Sequence, residues 1–329
     1  MKKLNISRQI IVKLKFVAGR LCGFIRKIIQ GRNIPAKFLN IRLLNTVFCN
    51  YQKIGKEICM NILFCGNDRA FDGILIALLS IIKYYKGRLD VYIMTANLQY
   101  MRDDYAPLSW QQARMIENVI SSVCGDSRVF LIDKTGVFRN DLSGCVNKDT
   151  MYTPYSMLRL YADDILVNRL LYLDADVVAC DDIEPLYNMD ISGFEMAGVR
   201  DFLGKWFIEY NYMNTGVLLF DMPQCRRDGL FKKARQMCHN RKMFFPDQTS
   251  LNRMCRKKLF LHEKYNEQKC YRPGTVIQHF CKSLRLFPYI HTVNVKPWEI
   301  EKLHSVYKLY AHDDVLDRYV KIKSAFKQL

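Results

Sequence analysis

At 329 residues, with 50% hydrophobic and 12% aromatic side chains, the chain has material for a large core and falls outside the disordered class. Its net charge of +18 is uneven: residues 1–59 hold eight Lys and five Arg against the single acid Glu57, a charge of +12, leaving +6 for residues 60–329. Twelve cysteines without a CxxC pair or regular spacing argue against a zinc module or a disulfide framework, and fit packed free thiols in a reduced compartment.

In the N-terminal segment Lys13, Lys15, Arg20, Arg26 and Lys27 interrupt the apolar residues, which leaves neither a signal peptide nor a run long enough to cross a bilayer. Ile10, Leu14, Val17, Leu21, Phe24 and Ile28 recur at steps of four and three and predict a basic amphipathic helix. Such a helix suits an anionic membrane surface. Packing on the chain's own catalytic domain is the alternative; no nucleic-acid module is recognisable. Met60 stands directly before the first clear strand, so the expected division is an extension over 1–59, a catalytic domain over 60–298 and a helical tail over 299–329.

Residues 60–65, MNILFC, read as a short buried strand, followed by the turn Gly66-Asn67-Asp68 and an apolar helix from about Phe71 to Tyr85. A strand over Asp90–Thr95, a helix near Ser109–Val123 and a strand over Arg128–Ile132 continue the alternation, which predicts a mostly parallel sheet flanked by helices. Residues 152–168 read as helical, with Arg159 near the middle. They lead into LLYLDADVVAC, Leu170 to Cys180, an apolar run that reads as a strand buried on both faces. Beyond it, Asn211–Met222 reads as another buried strand, Phe231–Arg241 as a basic helix, and Pro246 and Asp247 open a helix through Leu259.

Asp174 and Asp176 emerge from the Leu170 run with only Ala175 between them, at the carboxyl edge where open α/β sheets bind ligands. Two carboxylates on the same side of an extended chain can share a hard divalent cation, and Mg²⁺ and Mn²⁺ complete their shells with phosphate oxygens. Without a cation the pair would repel. Asp-x-Asp also occurs as a turn or helix cap, and a haloacid-type phosphatase opens with the same pattern. That phosphohydrolase needs its motif early and a second acidic pair far downstream, whereas Asp181 and Asp182 follow almost at once.

Several segments in one order resemble glycosyltransferase family 8, the retaining enzymes that include bacterial lipopolysaccharide galactosyl- and glucosyltransferases and glycogenin. They are ILFCGNDRAF, SMLRLYADDIL with LLYLDADVV, YMNTGVLLFDM, FPDQTSLN, and VIQHF with VKPW, and they run from about Met60 to Trp298. The resemblance implies an α/β fold of GT-A type, Rossmann-like, with a nucleotide-sugar donor. It implies Mn²⁺ (or Mg²⁺) held by Asp174, Asp176 and His279, with Ala175 between the acids at the donor. Arg159 would reach the donor sugar or diphosphate, Lys296 would grip the phosphates, and Cys65, Asn67 and Arg69 would line the nucleotide end. Asn214 and Thr215 would contact sugar hydroxyls, Asp201 and Asp247 would recognise donor or acceptor hydroxyls, and Gln248 would lie below the anomeric carbon. Each has a plainer alternative: a surface ion pair for Arg159, a solvated Lys296, a strand-to-helix turn at Cys65 and Asn67, a backbone-satisfied Asn214, a helix N-cap at Asp247. The stretch between His279 and Lys296 is longer than the family's, which puts Lys282 forward as a rival phosphate ligand and His291 as a rival metal ligand, and Arg69 replaces the usual polar residue.

The reading these residues support is a metal-dependent retaining transfer of glucose or galactose from a UDP-sugar to a glycan or lipid-linked saccharide. The setting implied is bacterial surface polysaccharide synthesis, in the cytoplasm on the inner membrane face, with residues 1–59 at the membrane and no nucleic acid. A non-catalytic nucleotide-sugar-binding protein is the reading from a different class.

Overall fold

A computed structural model of the chain describes residues 59–149, 153–285 and 291–326. The expected amphipathic helix over Ile10–Ile28 lies outside them. Strand β1 (Met60–Cys65) leads through a 3₁₀ turn (Asp68–Ala70) into helix α1 (Phe71–Tyr84), then β2 (Leu89–Thr95), α2 (Trp110–Ser121), β3 (Arg128–Asp133) and α3 (Thr135–Ser143). Helix α2 starts where its capping box dictates: Gln112 N–H donates to Ser109 Oγ at 3.2 Å and Ser109 N–H to Gln112 Oε1 at 2.8 Å. A 3₁₀ helix (Pro154–Asp164) precedes β4 (Arg169–Leu173) and the short β5 (Val177–Ala179). There follow α4 (Glu184–Tyr187), β6 (Met196–Arg200), α5 (Gly204–Phe207), β7 (Met213–Asp221), α6 (Met222–Asp228), α7 (Leu230–Asn240), α8 (Pro246–Met254) and β8 (Lys258–Phe260). Strands β9 (Ile277–His279), β10 (Ser283–Arg285) and β11 (His291–Val293), helix α9 (Ile300–Lys302), a π turn (Leu303–Tyr307) and helix α10 (Asp313–Phe326) complete the described chain.

Seven strands form one sheet in the order β3-β2-β1-β4-β7-β6-β8. The pairs β1–β2, β2–β3, β1–β4 and β6–β8 are parallel, while β7 runs antiparallel to β4 and β6, so the expected mostly parallel α/β sheet is what forms. Alternation along each strand sorts side chains to opposite faces. Leu171, Leu173, Val217 and Leu219 join one core with α1 and α2; Leu170, Tyr172, Leu218 and Phe220 join another with the 3₁₀ helix and α7. The tail packs on the first side: Val315, Leu316 and Tyr319 of α10 are buried in that core, and Lys323 Nζ lies 2.6 Å from Asp72 Oδ2 of α1.

Four expectations need correction. Leu170–Cys180 is two strands in two sheets with Asp174–Asp176 on the turn between them, because β5 leaves the main sheet to pair with β9. Residues 154–164 are 3₁₀ and not a regular helix, broken at Tyr161, where φ is −104° and ψ 16°. The strand predicted over Asn211–Met222 ends at Asp221, whose carboxylate caps α6 by accepting from Gln224 N–H. Helix α8 stops at Met254, since Lys258–Phe260 is drawn into the sheet beside β6.

Candidate functional site

The site grows from three registers. Strand β4 ends at Leu173, paired with Val217 of antiparallel β7, so Asp174 N–H donates to Gly216 O at 2.8 Å. The antiparallel run thereby sets Asn214 and Thr215, at the start of β7, beside the end of β4. Strand β5 pairs with β9 with Val177 opposite His279, which brings the imidazole back to the acids. Asp174, Asp176 and His279 each turn a ligand atom inward, all within 4.8 Å of one another.

Glycines make the close approaches possible. A Cβ at Gly216 would lie 2.2 Å from His279 Cε1, so the imidazole occupies the space a methyl would need. A Cβ at Gly73 would lie 2.1 Å from the Ala175 carbonyl oxygen and 2.6 Å from the Trp298 ring, so α1 packs directly on the Asp-x-Asp turn. Ala175 thus enters the site as backbone.

The two carboxylates do not face each other unpaired, which corrects the expectation that they would repel without a cation. Asp174 Oδ1 accepts from Arg159 Nη2 at 2.8 Å and from the Tyr172 hydroxyl at 2.6 Å. Asp176 Oδ2 accepts from Lys296 Nζ at 2.5 Å, while His279 Nε2 stands 3.2 Å from Asp176 Oδ1 and 3.7 Å from Asp174 Oδ2. Burial works against the Asp176 anion, yet Lys296 and His279 outweigh it and hold the carboxyl well below the usual carboxylate range. The same balance raises Lys296 and His279: burial opposes both cations, and Asp176 more than offsets it.

Arg159 is buried, and its guanidinium is committed on every side. Nε donates to Ser156 O at 2.9 Å and lies 3.1 Å from Asp247 Oδ2; Nη1 donates to Thr215 O at 2.7 Å; the guanidinium sits 4.4 Å from the Tyr172 ring centroid. Arg159 therefore holds Asp174 and Asp247 in place, a firmer role than a surface ion pair. Asp247 also accepts from Ser156 Oγ at 3.1 Å. It does not cap α8 through its side chain, since that helix has no side-chain cap. Gln248 Oε1 accepts from the N–H and hydroxyl of Thr215, both at 3.1 Å, and Gln248 Nε2 donates to Asp201 Oδ2 at 3.2 Å. Asn214 Nδ2 donates to the same Asp201 oxygen at 2.9 Å.

At the carboxyl end of β1, Cys65 closes the strand, and burial pushes its thiol up. Asn67 is buried, with Nδ2 donating to Asp104 O at 3.4 Å. Arg69 is turned outward, its side chain 63% exposed and paired with Asp104 at 2.7 Å. Of the rivals, Lys296 holds Asp176 while Lys282 is exposed, and His279 completes the ligand cluster while His291 lies opposite Arg285 in the β10–β11 hairpin. Sequence reasoning missed Tyr172, Ser156, Gly73 and Asn266. Tyr172 and Ser156 stood inside quoted motifs without being singled out; Asn266 carries no local signal, because its partners lie 13 and 52 residues away.

The family model described as glycosyl transferase family 8 matches residues 61–301. The chain belongs to that family. It is 28% identical, over 70% of each chain, to the lipopolysaccharide glucosyltransferase WaaO of Escherichia coli. It is 25% identical to the glycosyltransferase GlyF of Streptococcus pneumoniae over 69% of this chain, spanning 55% of that protein. The crystal structure of galactosyltransferase LgtC with donor and acceptor sugar analogues superposes with a TM-score of 0.57 at 16% identity, covering 81% of this chain and 96% of that one. That likeness establishes the GT-A type fold for this glycosyltransferase. Family membership sets aside the phosphohydrolase reading.

Proposed function

We propose that the chain is a metal-dependent retaining hexosyltransferase that moves glucose or galactose from a UDP-sugar to a glycan or lipid-linked saccharide acceptor of a bacterial surface polysaccharide. The observation that carries this reading is the convergence of Asp174, Asp176 and His279 at the ends of β4 and β9. Two carboxylates and an imidazole are a donor set that suits Mn²⁺ or Mg²⁺. His279 Nδ1 is engaged by Asn266 at 3.1 Å, as ligating histidines ordinarily are on their outer nitrogen, so the residues fit the ion. When bound, the cation supplies positive charge against the diphosphate that leaves.

The protein's own groups do the rest. Lys296 stands beside Asp176 as a movable cation for a phosphate oxygen. Asp201, Asn214, Thr215 and Gln248 form a polar wall suited to sugar hydroxyls. A double displacement needs a free carboxylate close to the sugar. Asp247 is tied to Arg159 and Ser156, and Gln248 is an amide with its oxygen held by Thr215. These commitments support front-face displacement, with a donor phosphate oxygen taking the acceptor's proton. The basic segment 1–59 is proposed to keep the enzyme on the inner membrane face.

The deciding experiment measures UDP release from a panel of UDP-sugars, with and without Mn²⁺, for the intact protein and Asp176→Asn. Release from one hexose, dependent on Mn²⁺ and reduced on the order of 10²-fold in the variant, is expected, with no sugar adduct on Asp247 in the quenched mixture by mass spectrometry. An adduct would overturn the front-face step. UDP binding with no turnover on any donor and acceptor would favour a binding protein.

A further inference from the structure

We propose that Asn266 is the positioning residue of the metal site: it fixes which nitrogen of His279 faces the aspartates, and it couples that imidazole to the sugar-side wall. The inference rests on the metal reading given above. Asn266 lies in the loop before β9 and is 1% exposed, so neither polar atom of its amide has water for a partner.

The orientation of the amide follows from one backbone group. Gly216 N–H, which can only donate, donates to Asn214 Oδ1 at 2.9 Å, and that identifies the oxygen of Asn214. The other end of Asn214 must then be its NH₂, as its 2.9 Å contact with the carboxylate of Asp201 also requires. Asn266 reaches Asn214 Oδ1 at 2.9 Å, and only its NH₂ can donate there. Its oxygen consequently faces His279 Nδ1 at 3.1 Å. An amide oxygen accepts, so Nδ1 carries a proton and Nε2 is the nitrogen turned toward Asp174 and Asp176, 3.7 Å and 3.2 Å away. Every assignment is forced in turn.

Those bonds also close a circuit. It runs from Asp176 through His279, Asn266, Asn214, Asp201, Gln248, Thr215 and Arg159 to Asp174. Asn266 joins the ligand half of this circuit to the half expected to meet the sugar at the His279 end, as Arg159 does at the Asp174 end. A purely structural amide would satisfy itself on the backbone; this one spends both ends on the two halves of one site.

The test uses two variants and the metal alone. Asn266→Ala removes both bonds, whereas Asn266→Asp keeps an acceptor for Nδ1–H and loses the donor to Asn214. Free Mn²⁺ is counted by electron paramagnetic resonance as the ion is titrated into each folded protein, without donor. The Ala variant is expected to bind Mn²⁺ about 10–100-fold more weakly and the Asp variant like the native chain, while under saturating Mn²⁺ the Asp variant shows a raised KM for the UDP-sugar. Native Mn²⁺ affinity in a folded Ala variant overturns the proposal, and so does loss of affinity in the Asp variant, which decides the matter if Ala fails to fold. No Mn²⁺ binding by the native protein would sink the metal reading itself, a separate failure.

Discussion

Gly216 has no side chain, and the His279 ring fills the space beside β7 that one would occupy. Gly216→Ala would set a methyl 2.2 Å from Cε1 and 2.7 Å from Nδ1, so either the ring or β7 must move. Overpacking of this kind costs ~1–3 kcal/mol, a loss of very roughly 2–10 °C in Tm, and the displaced ring should also weaken Mn²⁺ binding. Thermal melts with and without Mn²⁺ check it: a variant with native Tm in both would show that the ring has room to spare. At this scale the sequence was partly legible. Asp174, Asp176, His279 and Lys296 could be named because each sits in a run with a recognisable neighbourhood. The pairing of Arg69 with Asp104 was not legible, since proximity along the chain to Asn67 says nothing of a partner 35 residues on. Asn266 was invisible: a polar residue among polar residues, given meaning only by strands that return from elsewhere.

Helix α10 begins beside a histidine with a consequence for pH. His312 is buried and its Nε2–H donates to Gln278 Oε1 of β9 at 2.8 Å, one residue from His279. The rings of Tyr271 and Phe280 meet it edge-on, Lys83 faces it from α1, and Asp313 and Asp314 follow on its own element. Burial, with help from Lys83, lowers its pKa to about 4. The unfolded chain takes up this proton near pH 6.5, so between about 6.5 and 4 the unfolded state binds more protons than the folded one. Stability attributable to this group is therefore present above pH 6.5 and lost as pH falls toward 4, by ~3 kcal/mol in all. His312→Gln should flatten that limb, as read from urea midpoints at pH 7 and pH 4.5; an equal slope in both proteins would assign the loss elsewhere. Boundaries at this scale followed the sequence where local chemistry sets them, as at Ser109 and its capping box. They failed where tertiary pairing does. Nothing in LLYLDADVVAC marks where one sheet ends and another begins, because that is decided by β9, about a hundred residues on.

For the whole molecule, the charge is concentrated at the N-terminus: residues 1–59 carry +12 of the total +18. No helix among the described residues is long and apolar enough to cross a membrane. Deleting residues 1–59 should therefore abolish binding to vesicles containing anionic lipid while leaving UDP release from the donor intact. Sedimentation with the vesicles at low and at 0.5 M salt reads the first half, and undiminished binding would remove the segment from that role. The strand order has one further outcome, in time. Strand β1 is central, yet its neighbour on one side is β4, and 108 residues separate Asn61 from Arg169. On the ribosome, at ~5–20 residues per second, β1 waits roughly 5–20 s with unpaired backbone N–H and C=O groups along one edge before the chain that covers it exists. That interval, and not the finished enzyme, is when this protein is most exposed to pairing with a neighbouring nascent copy.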